Sequence, residues 1–341
     1  MGGDGVALLS GYDGVLLDLD GTVYRGSEAV PGAVASVAAA RAAGVSVAYV
    51  TNNASRGPAE VAAQLVELGF DAGAECVVTS AQAGAALLAE RVPAGTDVLV
   101  VGTEALADEV RGVGLKPVRS AAAQPGAVVQ GHSPDTGWPI LAEACLAIRA
   151  GAVWVACNVD PTLPTERGQL PGNGSMVAAL RAATSAEPLV AGKPGRRLLD
   201  QAAERLGLGR PLVVGDRLDT DIAGAAAAGM DALFVLTGAS TPRDLLATPA
   251  GVRPRFVAAD LAALHEPEQF SLVGPHPAWT VELSRDTAVL HHRGDAEPDP
   301  VAALRALCAA LWVVSPMAER GRELRGADAP STAALAALGL S

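Results

Sequence analysis

Residues 15–26 read VLLDLDGTVYRG. Val15–Leu17 is a short apolar run of the kind that makes a buried strand. It ends in two aspartates one residue apart, Asp18 and Asp20, followed by the turn-former Gly21 and by Thr22. Two later runs end in the same manner: Val45–Val50 leads into Thr51-Asn52-Asn53, and Leu212–Val214 into Gly215-Asp216. Between and after them, helices are predicted over Gly32–Ala43, Ala59–Leu68, Arg196–Leu206 and Ile222–Ala228, with a further strand at Leu233–Leu236. Continuous apolar strands alternating with helices predict an α/β fold whose parallel sheet is buried on both faces. Ligands of such sheets bind beyond the carboxyl ends of the strands. One Asp or Thr there is an ordinary capping residue, but three such strand ends together mark a site.

A second series of the same kind runs from about 81 to 187, with strands predicted at Val98–Val101, Ala127–Gln130 and Val153–Ala156. From about Glu266 the texture changes. Pro275, Pro277, Pro298 and Pro300 punctuate a predicted hairpin, Trp279–Leu283 with Thr287–His291. A helix follows, with Val301, Leu304, Leu307, Cys308 and Leu311 on one face. His291 and His292 are adjacent on a strand, point to opposite faces and make a poor metal pair.

The 341 residues are half hydrophobic, with 3% aromatics and a formal net charge of −12. That length has room for two or three domains. No run reaches the roughly 18 unbroken apolar residues of a membrane helix. From the opening MGGDG no secretory signal is expected and, with Val6, no myristoylation. The negative charge and few aromatics argue against nucleic-acid binding. Cys76, Cys145, Cys157 and Cys308 lie far apart in apolar contexts, as expected of buried free thiols in a reducing cytoplasm. An acidic chain that binds an anion needs a metal or locally concentrated positive charge.

Phosphoryl transfer through an aspartyl-phosphate is the chemistry that uses this set. A carboxylate nucleophile, here Asp18, splits one hard displacement into two easier ones. Two anionic partners meet in that step, so a bridging Mg²⁺ is expected. Asp18, the backbone carbonyl of Asp20 and the side chain of Asp216 are its expected ligands. Asp20 has the position for a general acid, and later a general base, if its surroundings raise its pKa. Only Lys116 and Lys193 are lysines in a chain that otherwise writes positive charge as Arg. Lys193, in AGKPG, is a compact ammonium suited to bridging a carboxylate and a phosphate oxygen. A P-loop reading fails, because Pro follows Lys193 and Glu187 stands at the first glycine's place. Asp221 suits an acceptor in the second shell around the metal, and Asp219 a solvated loop charge.

Asp18-x-Asp20-Gly-Thr, Thr51-Asn52-Asn53, Gly192-Lys193-Pro194 and Gly215-Asp216-x-x-x-x-Asp221 resemble the four motifs of the haloacid dehalogenase-like (HAD) phosphatases, in order, over roughly residues 11–265. The resemblance implies a Rossmann-like core with Asp18 as nucleophile, Asp20 as acid and base, Thr51 and Lys193 on the phosphate, and Asp216 on Mg²⁺. About 30 residues separate Asp18 from Thr51 but about 140 separate Thr51 from Lys193, too many for one crossover. The excess resembles the inserted α/β cap of the subfamily containing the ribonucleotide monophosphatase NagD, phosphoglycolate phosphatase and pyridoxal phosphatase. The expected division is a core of 1–80 and 188–265, a cap of 81–187 and a small α+β appendage of 266–341.

The polar run from Asn158 through Asp160 to Asn173 and Ser175 resembles that subfamily's cap loop. Substrate contacts are therefore expected from Thr51, Asn52, Asn53, Lys193, Asn158, Asp160 and Asn173. "VTNNASR", "PGNGSMVAALR" and "VVGDRLDTDI" are similar to the branch acting on glycerol 3-phosphate. Glycerol 3-phosphate is thus the expected substrate, ahead of phosphoglycolate, a nucleotide monophosphate or pyridoxal phosphate. The resemblance also implies a homodimer contact through the cap, and the cysteine pattern a cytoplasmic protein. A phospho-acceptor switch remains an alternative, although Asp20 tells against a stable phosphoenzyme. So does a second, coenzyme A-dependent acyl transfer in the C-terminal unit, which lacks a glycine-rich pyrophosphate loop.

Overall fold

The computed structural model describes residues 6–165, 167–295, 297–313 and 322–341. The chain divides into two compact units, residues 1–47 with 208–341, and residues 48–207. Both are α/β, as the alternation of strands and helices predicts.

In the first unit, parallel strands lie in the order Phe256–Ala258, Asp231–Val235, Pro211–Gly215, Gly14–Leu17. Gly14–Leu17 and Pro211–Gly215 are buried at every position. Their register sets Leu17 opposite Val214, so Asp18 and Asp216 leave the sheet at one edge. The helix predicted from Ile222 begins at Ala223, after a wide π turn at Leu218–Ile222. A short antiparallel hairpin, Tyr24–Arg25 with Glu28–Ala29, follows the first strand and was not foreseen. Gly26 occupies its turn at φ +57°, a conformation that favours glycine.

The C-terminal stretch of this unit is a three-stranded sheet in the order Trp279–Leu283, Thr287–His292, Glu323–Gly326, antiparallel and then parallel. The expected hairpin is present, and its two histidines do diverge. His292 lies against Trp279, ring centroids 4.7 Å apart, while His291 Nε2 lies 3.5 Å from Glu282 Oε2. The helix Pro300–Leu311 buries Ala302 to Cys308 and Leu311. Its Arg305 is 6% exposed, donates to the carbonyl of Val257 at 3.0 Å and lies 3.5 Å from Asp299. A buried guanidinium answered by a strand carbonyl and a carboxylate ties this helix to Phe256–Ala258.

In the second unit, the strand ending at Thr51 runs parallel to Val77–Thr79, with Thr51 opposite Thr79. A second parallel sheet has the order Leu189–Val190, Val153–Ala156, Ala127–Gln130, Asp97–Val101, Lys116–Val118. Leu99, Val101, Val128 and Trp154 pack there against Ala144, Ile148, Val177 and Leu180 of the helices Trp138–Arg149 and Asn173–Thr184. The stretch 158–175, expected as one polar loop, instead contains an antiparallel hairpin, Thr162–Thr165 with Gly168–Pro171, and the first turn of a helix from Asn173. Gly168 at φ +111° turns the hairpin, and the Thr165 hydroxyl closes it on the Gly168 carbonyl at 2.8 Å. All four cysteines are free, but only Cys157 and Cys308 are buried. Cys76 and Cys145 are half-buried, the first closing the short turn Ala74–Cys76 and the second within the helix Trp138–Arg149, where it packs against the edge of the core. Among the described residues no helix is long and apolar enough to cross a membrane.

Leu307 is fully buried on the inner face of the helix Pro300–Leu311. Leu307→Ala is expected to lower the unfolding free energy by about 2–5 kcal/mol, measured as a shift of the urea midpoint at unchanged slope.

Candidate active site

Asp18 continues the ladder of the first strand, its N–H donating to the Val214 carbonyl at 2.9 Å. Its carboxylate meets those of Asp216 and Asp221: each offers an oxygen, and these lie within 4.8 Å of one another. Asp216 and Asp221 are buried and Asp18 is half-buried. Asp216 is held from two sides. Ala239 N donates to its Oδ2 at 2.6 Å and Thr22 Oγ1 to its Oδ1 at 3.3 Å. Two glycines make room for it. A Cβ at Gly21, itself at φ +91°, would stand 2.5 Å from Asp216 Oδ2, and one at Gly238 would run into the same carboxylate. Asp221 Oδ2 accepts from Arg217 N at 3.1 Å across the wide turn. Asp221, expected in the second shell, thus stands as close to Asp18 and Asp216 as a ligand would.

Asp20 lies just beyond, open to solvent on one side. Desolvation by the protein around it pushes its carboxyl above the ordinary carboxylate range, and the backbone N–H of Gly26 opposes that rise. Gly26 belongs to the hairpin, which is tethered in turn: Arg25 Nε donates to the carbonyl of Thr237, whose hydroxyl donates to the carbonyl of Gly21 at 2.5 Å. Thr237, Gly238 and Ala239 thus shape the candidate site, and sequence reasoning missed them. Nothing in LTGAS, read alone, distinguishes them from an ordinary turn.

The other expected residues gather in the second unit. Thr51 Oγ1 accepts from Asn53 N at 3.1 Å, and the Asn53 carboxamide closes its own turn on Ser55 N and Oγ at 2.8 and 2.7 Å. Lys193 is 2% exposed, and its Nζ donates to the carbonyl of Val50 at 3.3 Å. Asn52 pairs with Lys193 and Asp160. Asn158 and Asn173 are buried and use their amides as braces: Asn158 Nδ2 donates to Asn52 O and Asn173 Nδ2 to Asn158 O, each at 2.7 Å.

An aspartate trio of this kind fits a hard divalent cation. Only oxygen donors are present, the donors converge, and carboxylates at this spacing need a counter-charge. Over 306 residues the chain is 51% identical to a D-glycerol 3-phosphate phosphatase of Mycobacterium tuberculosis, spanning 88% of this chain and 86% of that protein. Residues 15–116 match the family model for haloacid dehalogenase-like hydrolases.

The chain is a haloacid dehalogenase-like hydrolase.

A second HAD-hydrolase-like model covers residues 190–264 of this hydrolase. Residues 276–340 match a GCN5-related N-acetyltransferase-like domain. A 5′-nucleotidase of Bacillus subtilis, YutF, is 38% identical over 67% of this chain and 88% of its own. Among solved structures, the glycerol phosphate phosphatase of M. tuberculosis in complex with magnesium superposes with a TM-score of 0.93 at 49% identity, covering 98% of this chain and 99% of that one. The four motifs of the HAD-like hydrolases are thus present in a chain that matches its relatives across both units.

Gly238→Ala is expected to displace the Asp216 carboxylate and weaken divalent-cation binding at least about tenfold. The readout is loss of the Mg²⁺-dependent rise in melting temperature, with the cation-free protein melting close to the parent.

Proposed function

We propose that this HAD-like hydrolase is a Mg²⁺-dependent phosphatase that converts glycerol 3-phosphate to glycerol and phosphate through an aspartyl-phosphate. The observation that carries the reading is the convergence of Asp18, Asp216 and Asp221 at one sheet edge, with Asp20 two residues beyond the first of them. The substrate comes from the glycerol 3-phosphate phosphatase that is half identical over most of both chains.

Asp18, Asp216 and Asp221 would hold the cation, which when bound offsets the charge on the phosphate and on the carboxylates around it. In the first half-reaction an Asp18 oxygen forms a bond to phosphorus while the bond from phosphorus to the glycerol oxygen breaks. Asp20, protonated, gives its proton to that departing oxygen. In the second half-reaction Asp20, now a carboxylate, takes a proton from water. The water oxygen bonds to phosphorus, and Asp18 is released as a carboxylate. The raised pKa of Asp20 suits both roles, because it keeps the proton to a higher pH than an ordinary carboxyl does. The expected pH dependence follows from that sign: kcat/KM falls as pH rises through the raised value.

Thr51 and Lys193 are assigned to the phosphate, and residues 81–187 to a cap over the substrate. What supports Lys193 is its burial in a chain that carries one other lysine. The same reading makes the protein cytoplasmic and a homodimer through the cap. The apolar face of Trp138–Arg149, with Trp138 80% and Leu146 58% exposed, supports the dimer. Acyl transfer by the C-terminal unit is not part of the proposal. Asp299 already caps the helix that follows the hairpin, accepting from Val301 N at 2.8 Å, and Pro300 removes an N–H that a pyrophosphate would use. Calorimetry with acetyl-CoA is expected to register no heat of binding.

Two kinetic measurements test the phosphatase. Across glycerol 3-phosphate, phosphoglycolate, a nucleoside monophosphate and pyridoxal phosphate with Mg²⁺, glycerol 3-phosphate is expected to give the highest kcat/KM. A nucleotide in first place would overturn the assignment. Asp20→Asn is expected to slow glycerol 3-phosphate hydrolysis by about 10²–10⁴, and formation of the phosphoenzyme from p-nitrophenyl phosphate far less, since nitrophenolate leaves without a proton. Equal losses in the two burst rates would remove Asp20 as the acid.

A further inference from the structure

The side-chain amide of Asn52 is engaged with the main chain of Lys193 at both ends. Its Oδ1 accepts from Lys193 N at 2.8 Å, and its Nδ2 donates to Lys193 O at 3.0 Å, the two-point pairing that a neighbouring strand would offer. Gly192 permits the approach: a Cβ there would lie 2.6 Å from Asn52 Oδ1 and 2.5 Å from the carbonyl of Cys157. Nδ2 also faces Asp160, whose carboxylate oxygens lie 3.2 and 3.4 Å away. A carboxamide has two N–H donors, and both are used here, one on Lys193 and one on Asp160. The loop carrying Asp160 is bound to the same residue a second time, through Asn158 and the Asn52 carbonyl. Ser80 Oγ reaches that carbonyl as well, at 2.5 Å.

We propose that Asn52 and Asp160 are positioning residues for Lys193. Asp160, an acceptor only, fixes the orientation of the Asn52 amide through a charge-assisted bond. The amide in turn fixes the main chain from which the Lys193 ammonium projects. The loop after Val153–Ala156 therefore acts on the phosphate group, through Asn52, rather than by touching the alcohol portion of the ester. This rests on the assignment of Lys193 to the phosphate. A small displacement of a charged group at a reacting phosphate is enough to lower the rate.

The experiment reads two quantities in the full-length enzyme with Mg²⁺: the inhibition constant of inorganic phosphate, and kcat/KM on glycerol 3-phosphate and on p-nitrophenyl phosphate, whose alcohol portions share nothing. Asp160→Ala is expected to raise the phosphate inhibition constant and lower kcat/KM on both esters by a common factor of roughly ten, the scale of one hydrogen bond to a charged acceptor. Asp160→Asn keeps an oxygen that can face Asn52 Nδ2 and is expected to stay within about threefold of the parent. The double variant Asn52→Ala/Asp160→Ala should lose little more than Asn52→Ala alone. A loss confined to one ester, with phosphate inhibition unchanged, would overturn the proposal by making Asp160 a contact to the alcohol. So would an Asp160→Asn enzyme, natively folded by circular dichroism, that loses phosphate affinity tenfold. That variant decides the matter if Asp160→Ala does not fold. Lys193→Met tests the underlying assignment separately: unchanged phosphate inhibition in that variant would remove Lys193 from the phosphate whatever Asp160 does.

Discussion

Three carboxylates of one sign, brought within 4.8 Å of each other, form the constraint on which the rest of the first unit depends. At an effective dielectric of about 20, two unit charges at such a separation repel by about 4 kcal/mol. The fold opposes that repulsion with fixed donors. Ala239 N and Thr22 Oγ1 hold Asp216, and Arg217 N holds Asp221. Glycines at 21 and 238 are required because the Asp216 carboxylate fills the space a side chain would take. Each of these features raises the local concentration of negative oxygen, and a bound cation turns that arrangement from a cost into a binding site.

Around this centre the chemical roles divide by environment. Asp18 and Asp20 are the same residue type two positions apart, yet desolvation raises the carboxyl of Asp20 while Gly26 restrains it from the hairpin. Arg25 ties that hairpin to Thr237, and Thr237 ties back to Gly21. Asp20, Asp216 and the turn after Asp231–Val235 are therefore joined in one hydrogen-bonded assembly. In the second unit the amide of Asn52 does comparable work for Lys193, a single side chain answering both polar groups of another residue's backbone.

Much of this was legible in the amino-acid order because parallel strands buried on both faces must be continuously apolar. VLL, VSVAYV and LVV could be read directly, and the polar residue closing each marks the sheet edge. What could not be read depends on neighbours chosen by tertiary closure. Gly238 is indispensable only because Asp216 lies against it, and no local signal says so. Asp221 comes close to Asp216 across a wide turn at Leu218–Ile222, and the sequence, which suggests only an outer acceptor there, carries no sign of that turn. The run from Asn158 to Ser175 is rich in Pro, Gly and Asn, a composition that hides the hairpin at Thr162–Pro171 and the helix start at Asn173. Asn158 and Asn173 are polar yet buried because main-chain carbonyls accept their amides, that of Asn52 for Asn158 and that of Asn158 for Asn173.

The separation of the ligands along the chain has a kinetic consequence. Thr22 and Asp216, bonded to each other, are 194 residues apart. The aspartate trio cannot assemble until the first strand has paired with Pro211–Gly215, a contact of high sequence separation of the kind that slows folding. Partly folded chains lacking that pairing have no preformed affinity for the ion. Stabilisation by the cation is thereby confined to states in which that pairing has been made, the native state among them.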